Sequence, residues 1–159
     1  AHIPSKQRDE IIEALKEIPL IEKKINKNCE DIQKYASYCN KIGPSFKDKD
    51  EQAKQVSSIV QANIDLVNRR LHLKKALNYT NSTVLLKIET IMTEFLASLL
   101  NGKKKTRRTG KKDSGEWYID GKALVPYLSG MLNGKGKEMM TSTFSQVLEI
   151  TTETSSLIL

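Results

Sequence analysis

The sequence predicts a mainly α fold: a long antiparallel helical hairpin with a short β segment and smaller C-terminal helices. Three observations carry this reading. Apolar residues recur at steps of three and four through residues 6–42, and again through residues 49–79. Between the two runs lies IGPSFKDKDEQ, where Gly43 suits the position just past a helix end and Pro44 cannot continue the helix. The connection is short, so the second helix returns beside the first.

In the first run, Ser5 after Pro4 is the expected N-cap. The stripe is Ile11, Leu15, Ile18, Ile25, Ile32, Ala36, Cys39 and Ile42, with Ile21 and Cys29 between. Pro19 removes one backbone hydrogen bond and is expected to kink the helix. The second run takes Asp48 or Asp50 as its cap, and its stripe is Val56, Ile59, Val60, Asn63, Leu66, Val67, Leu73 and Leu77. Asn63 is the polar member of that stripe. Buried in a coiled-coil-like seam, it would set register at a cost in stability; the alternative is partial exposure, and both readings stand. At 1.5 Å per residue the hairpin is about 45–55 Å long.

The chain then changes character. Asn78, Thr80, Asn81 and Ser82 form a turn cluster. Residues 83–88 are β-prone and are expected to form a short strand. Thr90 or Thr93 then caps a helix over residues 92–100, stopped by Asn101 and Gly102. Further on, EWYID suggests a short strand or apolar anchor, GKALVPYLSGML a helix with Pro126 in its early turns, and NGKGK a break. Residues 138–150 suit a last helix. The expected units are a helical hairpin with its short β/helix extension over residues 1–101, a basic arm over 102–116, and a C-terminal strand/helix segment with an extended tail over 117–159.

Charge is distributed unevenly. The chain has 26 basic and 19 acidic residues, for a net charge of +7. Lys103, Lys104, Lys105, Arg107, Arg108, Lys111 and Lys112 account for all of that excess, because the remaining 19 basic residues match the 19 acidic ones. A local basic patch on an otherwise neutral chain implies a local anionic partner. Three readings of it stay open: a solvated loop, for which Gly102, Gly110 and Gly115 speak; docking on an acidic protein surface; and nucleic-acid binding. Single-strand binders interleave aromatic platforms with basic residues. Here Trp117 and Tyr118 come only at the end, so nucleic acid would be held non-specifically through its backbone.

Catalytic chemistry is not expected. No GxxxxGK[ST], GxGxxG or GxSxG motif is present, and NGKGKEMMTS has the wrong spacing for a phosphate loop. Glu10, Glu13 and Glu17 lie at helical spacing near Arg8 and Lys16, as solvated charge pairs do. Cys29 and Cys39 are ten residues apart; that is about 15 Å of helix, too far for a bridge, so both are expected to be free thiols of a reducing compartment. They have no His or Cys partners at ligand spacing, so neither metal nor cofactor is expected. No apolar run approaches the ~20 residues of a membrane span.

The stretch from EALKEIPLIEKKINKN through DEQAKQVSSIVQANIDLVNRRLHLKKALNYTNSTVLLKIETIMTEFLASL resembles the helical-hairpin proteins of tailed phages and prophages, a group that includes the septicolysin-like family. The resemblance covers roughly residues 10–100. Thr80, Asn81 and Thr83 match the turn of that pattern, residues 84–88 its β segment, and Thr93 with Glu94 its next helix start. The chain departs from the pattern in lacking a glycine near Glu89, and its basic insert and C-terminal third have no counterpart.

The resemblance implies a non-enzymatic, oligomeric structural protein of a phage virion, placed near the capsid, portal or tail; outside a phage, the expected location is cytoplasmic and not secreted. The expected partners are further copies of the chain and other structural proteins, with non-specific DNA contact as the alternative. The seven basic residues of 103–112 are the candidate anionic contacts. Trp117, Tyr118, Leu157, Ile158 and Leu159 are the candidate docking residues.

Overall fold

The computed structural model describes residues 5–39, 46–99, 109–119, 124, 128 and 134–150. Its elements in order are α1 (Ser5–Cys39), α2 (Phe46–Ala76), α3 (Ser82–Leu99), β1 (Thr109–Lys111), β2 (Trp117–Ile119) and α4 (Gly134–Glu149). The predicted class is therefore observed: a mainly helical chain with one small antiparallel sheet.

Helices α1 and α2 form the expected hairpin. On α1 the buried positions Ile11, Ala14, Ile18, Ile21, Ile25, Asn28 and Ile32 follow steps of three and four, with Cys29 buried beside them. On α2 the same steps run through Ala53, Val56, Val60, Asn63, Val67, Arg70 and Lys74, and on to Leu77 just past its end. That is a heptad seam, and it aligns the two helices along most of their length. Its polar members are more numerous than the sequence reading allowed. Asn63 is fully buried and Asn28 nearly so, which decides for the buried reading.

Helix α1 passes through Pro19 without ending. Pro19 and its neighbour Leu20 lie on the exposed face, so the hydrogen bond that proline removes is lost on the side open to water. Helix α2 starts at Phe46, which puts Asp48 and Asp50 inside its first turns instead of at its cap. It ends at Ala76 because Asn78 adopts a left-handed backbone (φ 58°). The Tyr79 N–H then donates to the Lys74 carbonyl at 2.8 Å and the Asn78 N–H to the Lys75 carbonyl at 3.0 Å. This pair of bonds closes the helix end, with asparagine in the place usually held by glycine.

The strand expected over residues 83–88 is instead the start of α3. The Asn81 carboxamide oxygen accepts from the Val84 N–H at 2.9 Å, so Asn81 is the N-cap, not Thr90 or Thr93. The β-branched density that suggested a strand is overridden by a 3.6-residue repeat: Val84, Ile88, Met92, Phe95, Leu96 and Leu99 are all buried on one face.

The EWYID strand is observed as β2, paired with β1 in the register Thr109 to Ile119, Gly110 to Tyr118 and Lys111 to Trp117. Gly115, at φ +91°, makes the turn between them, a conformation that side chains disfavour. Helix α4 begins at Gly134, so residues 134–137, read as a break, are helical. It packs between α1 and α3 through Met140, Phe144 and Val147. Phe144 meets Phe95 edge-on, with ring centroids 5.2 Å apart. Leu124 and Leu128 are helical and buried, as the predicted helix around them requires; the rest of that helix, Gly43, Pro44 and residues 151–159 lie outside the described residues.

Candidate functional site

The C-terminal end of the basic segment is built into the β1–β2 hairpin, and the hairpin is fastened to α2. Asn68, on α2, makes the fastening. Its carboxamide donates to the Trp117 carbonyl at 2.6 Å and accepts from the Trp117 N–H at 2.9 Å. One side chain thus completes the outer edge of β2 as a neighbouring strand would. Trp117 is buried at 4% exposure, and its indole N–H has no partner. Its ring therefore lies in the chain's own core, not on a surface offered to a neighbour. Tyr118 is half-buried, with the Lys112 ammonium 5.9 Å from its ring centroid.

Lys111 and Lys112 are also engaged within the chain. The Lys111 ammonium lies 3.2 Å from a Glu89 carboxylate oxygen on α3 and 5.5 Å from the centre of the Trp117 ring. Backbone bonds of 2.8 Å, from the Lys112 N–H to the Glu116 carbonyl and from the Gly115 N–H to the Lys112 carbonyl, close the hairpin turn. Lys112 also faces Asp65 on α2. Loss of solvation raises the Asp65 carboxyl pKa, Lys112 draws it back down, and Glu116 adds to the rise.

Lys103, Lys104, Lys105, Arg107 and Arg108 lie outside the described residues, as do Leu157, Ile158 and Leu159. The described residues do fix where the five cations are attached. The segment 100–108 leaves from Leu99, which is fully buried, and rejoins the body at β1.

Beside the hairpin, a cleft of about 370 Å³ is lined by Asp65, Asn68, Arg69, His72 and Glu116. Arg69 is already committed there: it makes a two-pronged bond to Glu17 on α1, at 2.9 and 3.0 Å. That hydrogen bond holds the Glu17 carboxyl below its ordinary pKa. The next residue, Arg70, is almost fully buried and donates to Glu22 at 3.1 Å. These cross-helix pairs belong to the hairpin. Among the described residues, no group of three or more His, Cys, Asp or Glu side chains is placed to hold a metal ion.

Cys29 is a free, buried thiol whose pKa is pushed up to about 11 by burial, against a smaller opposing pull from an Asn63 hydrogen bond. A thiol so shifted is a poor nucleophile at neutral pH. The side chain of Cys39 is outside the described residues.

The sequence reading missed Asn68, Glu89 and Glu116, because each is a polar residue on a helix or turn with no pattern to distinguish it. Asn28 did carry a signal: it falls between Ile25 and Ile32 at seam spacing. No protein-family model, curated protein or solved structure matches this chain. Among the described residues, no helix is long and apolar enough to cross a membrane.

Proposed function

We propose that this chain is a non-catalytic assembly subunit that docks on an anionic surface through its basic loop. The observation that carries this reading is the anchoring of that loop. Five of the nine residues in 100–108 are cationic, and both ends of the segment are tied to a folded body, at Leu99 and at the hairpin held by Asn68. A tethered loop loses less conformational freedom on binding than a free arm, so more of its charge attraction appears as affinity. Lys111 and Lys112 have partners inside the chain and are assigned to anchoring; Lys103, Lys104, Lys105, Arg107 and Arg108 are assigned to the partner.

The helical hairpin is the rigid spacer, and the apolar residues 157–159 supply contacts between subunits. Placement in a phage virion, near the capsid, portal or tail, is part of the proposal and rests on the resemblance of residues 10–100. The alternative is a small accessory protein that holds nucleic acid through its phosphates. Trp117 is buried and Tyr118 is half-buried beneath Lys112, so that alternative relies on charge without base stacking at these two rings.

Light scattering with and without duplex DNA separates the readings. An assembly subunit self-associates without DNA. A nucleic-acid accessory stays monomeric alone and binds with a steep salt dependence, of slope about −4 to −5 if all five loop cations meet phosphates. A monomer that ignores DNA at low salt would rule out both.

A further inference from the structure

Helices α3 and α4 leave an apolar groove between them. It has a volume of about 510 Å³; Leu86, Ile91 and Ile150 form its apolar walls, and Lys87, Thr90, Gln146 and Glu149 its polar rim. That volume falls within the usual range for a ligand cleft. Leu86 is 66% exposed, one of two large hydrophobic residues so exposed among those described. A single exposed leucine is ordinary. This one borders a groove whose other apolar walls, Ile91 and Ile150, are only partly covered by the core.

The sequence running on from the groove points to what fills it. Ile150 is both a wall of the groove and the last described residue before TTETSSLIL, which ends in the apolar triplet Leu157, Ile158 and Leu159. Phe95 meets Phe144, while Leu86 and Ile91 share the groove with Gln146 and Ile150, so α3 and α4 run antiparallel. Where it ends at Glu149, the axis of α4 therefore points past the N-terminal end of α3. To return Leu157 to the groove of its own chain, residues 151–156 would have to reverse direction. They contain no glycine, proline or asparagine, and three of the six are threonine, which favours extended backbone. Extended, the seven steps from Ile150 to Leu157 reach about 23 Å, enough to cross to an adjoining subunit.

We propose that the α3–α4 groove around Leu86 is the seat for Leu157, Ile158 and Leu159 of a second copy of this chain. Ile150, from which the segment runs on, is itself a wall of the seat, so two copies related by a two-fold axis would exchange segments reciprocally, each giving and receiving one. The proposal rests on the assembly reading above and names the surface that assembly uses.

The test uses the full chain with Ile158 replaced by the photoreactive p-benzoylphenylalanine, mixing isotope-labelled and unlabelled copies. Irradiation is expected to join labelled to unlabelled chains, with the adduct on the peptide carrying residues 86–91. Leu86→Asp, an exposed site that leaves the fold intact, is expected to remove that adduct and to weaken dimerisation at least about ten-fold by light scattering. Removal of residues 151–159 is expected to weaken dimerisation likewise. An adduct on residues 86–91 confined to one chain would overturn the proposal, because the segment would then fill its own groove. Self-association that is indifferent to Leu86→Asp and to the truncation, or an adduct elsewhere, would overturn the groove and leave the assembly reading standing. A chain monomeric at every concentration would remove both.

Discussion

Asn28 donates to Asn63 across the α1–α2 seam at 2.8 Å, with both side chains buried. The Asn63 amide in turn donates to the Ile25 carbonyl at 3.5 Å and lies 3.8 Å from the Cys29 sulfur. This is a single polar layer in an otherwise largely aliphatic stretch of the seam. It is satisfied only when these two positions face each other, so a slip of either helix leaves buried amides unpaired.

Removing one partner should therefore cost more than removing both. Asn63→Ala leaves the Asn28 amide buried without its acceptor and should destabilise the chain by about 1–3 kcal/mol. Replacing both asparagines with leucine should be near neutral in stability, but should broaden the amide NMR spectrum as alternative registers become accessible. Urea titrations of the two single variants and the double variant provide the measurement. Additive losses would show that the pair does not act as a unit.

Asn68 holds the hairpin by both backbone groups of Trp117. Asn68→Ala should cost about 1–3 kcal/mol, because the groups it served lose their partner. Trp117 is the only tryptophan, so its fluorescence reports the change directly. The emission should shift to the red as the ring gains water, before the helices melt. An unshifted spectrum would mean the hairpin docks without Asn68.

The Cys29 thiol predicts a specific alkaline instability. Its folded pKa is raised from 9.0 to about 11, so the unfolded chain releases that proton first as pH rises. The thiol's contribution is fully present below about pH 9 and is lost progressively up to about pH 11, on the order of 2–3 kcal/mol. Urea midpoints across that window should fall more steeply for the natural chain than for Cys29→Ala. The same burial predicts that at pH 8 a thiol reagent modifies Cys29 only as fast as the chain opens.

The two ends of the basic segment should separate in their effects. Substituting serine for Lys103, Lys104, Lys105, Arg107 and Arg108 should leave the melting temperature unchanged and remove salt-dependent binding to an anionic surface. Lys111→Ala should do the reverse. It removes the Glu89 ion pair and the contact over Trp117, which together should be worth about 0.5–1.5 kcal/mol at an exposed site, with little effect on binding. A screen of both variant sets by calorimetry and by ionic-strength titration would expose any exchange of roles.

Asn81→Ala should cost about 1 kcal/mol by removing the α3 cap, and it tests the least expected element. Residues 83–88 are β-branched enough to suggest a strand. The cap and the 3.6-residue burial repeat starting at Val84 make them helix. Local propensity yielded here to the face that α3 buries, which is the usual outcome when a helix has a core to pack against.

Periodicity and punctuation in the sequence were enough to determine the helical hairpin, an apolar strand or anchor at EWYID and the concentration of net charge in one segment. These are properties of spacing and composition, and they need no knowledge of what lies opposite. What only the tertiary structure decided are pairings between distant residues: Asn28 with Asn63, Asn68 with Trp117 and Lys111 with Glu89. Each joins groups 22 to 49 positions apart; seam spacing marks Asn28 and Asn63, but nothing in the local sequence marks Asn68, Glu89 or the groups they meet. That is also why Trp117, placed by its sequence context at a docking surface, lies in the core. Burial is set by the helix that faces it, and α2 offers Asn68 to both backbone groups of Trp117.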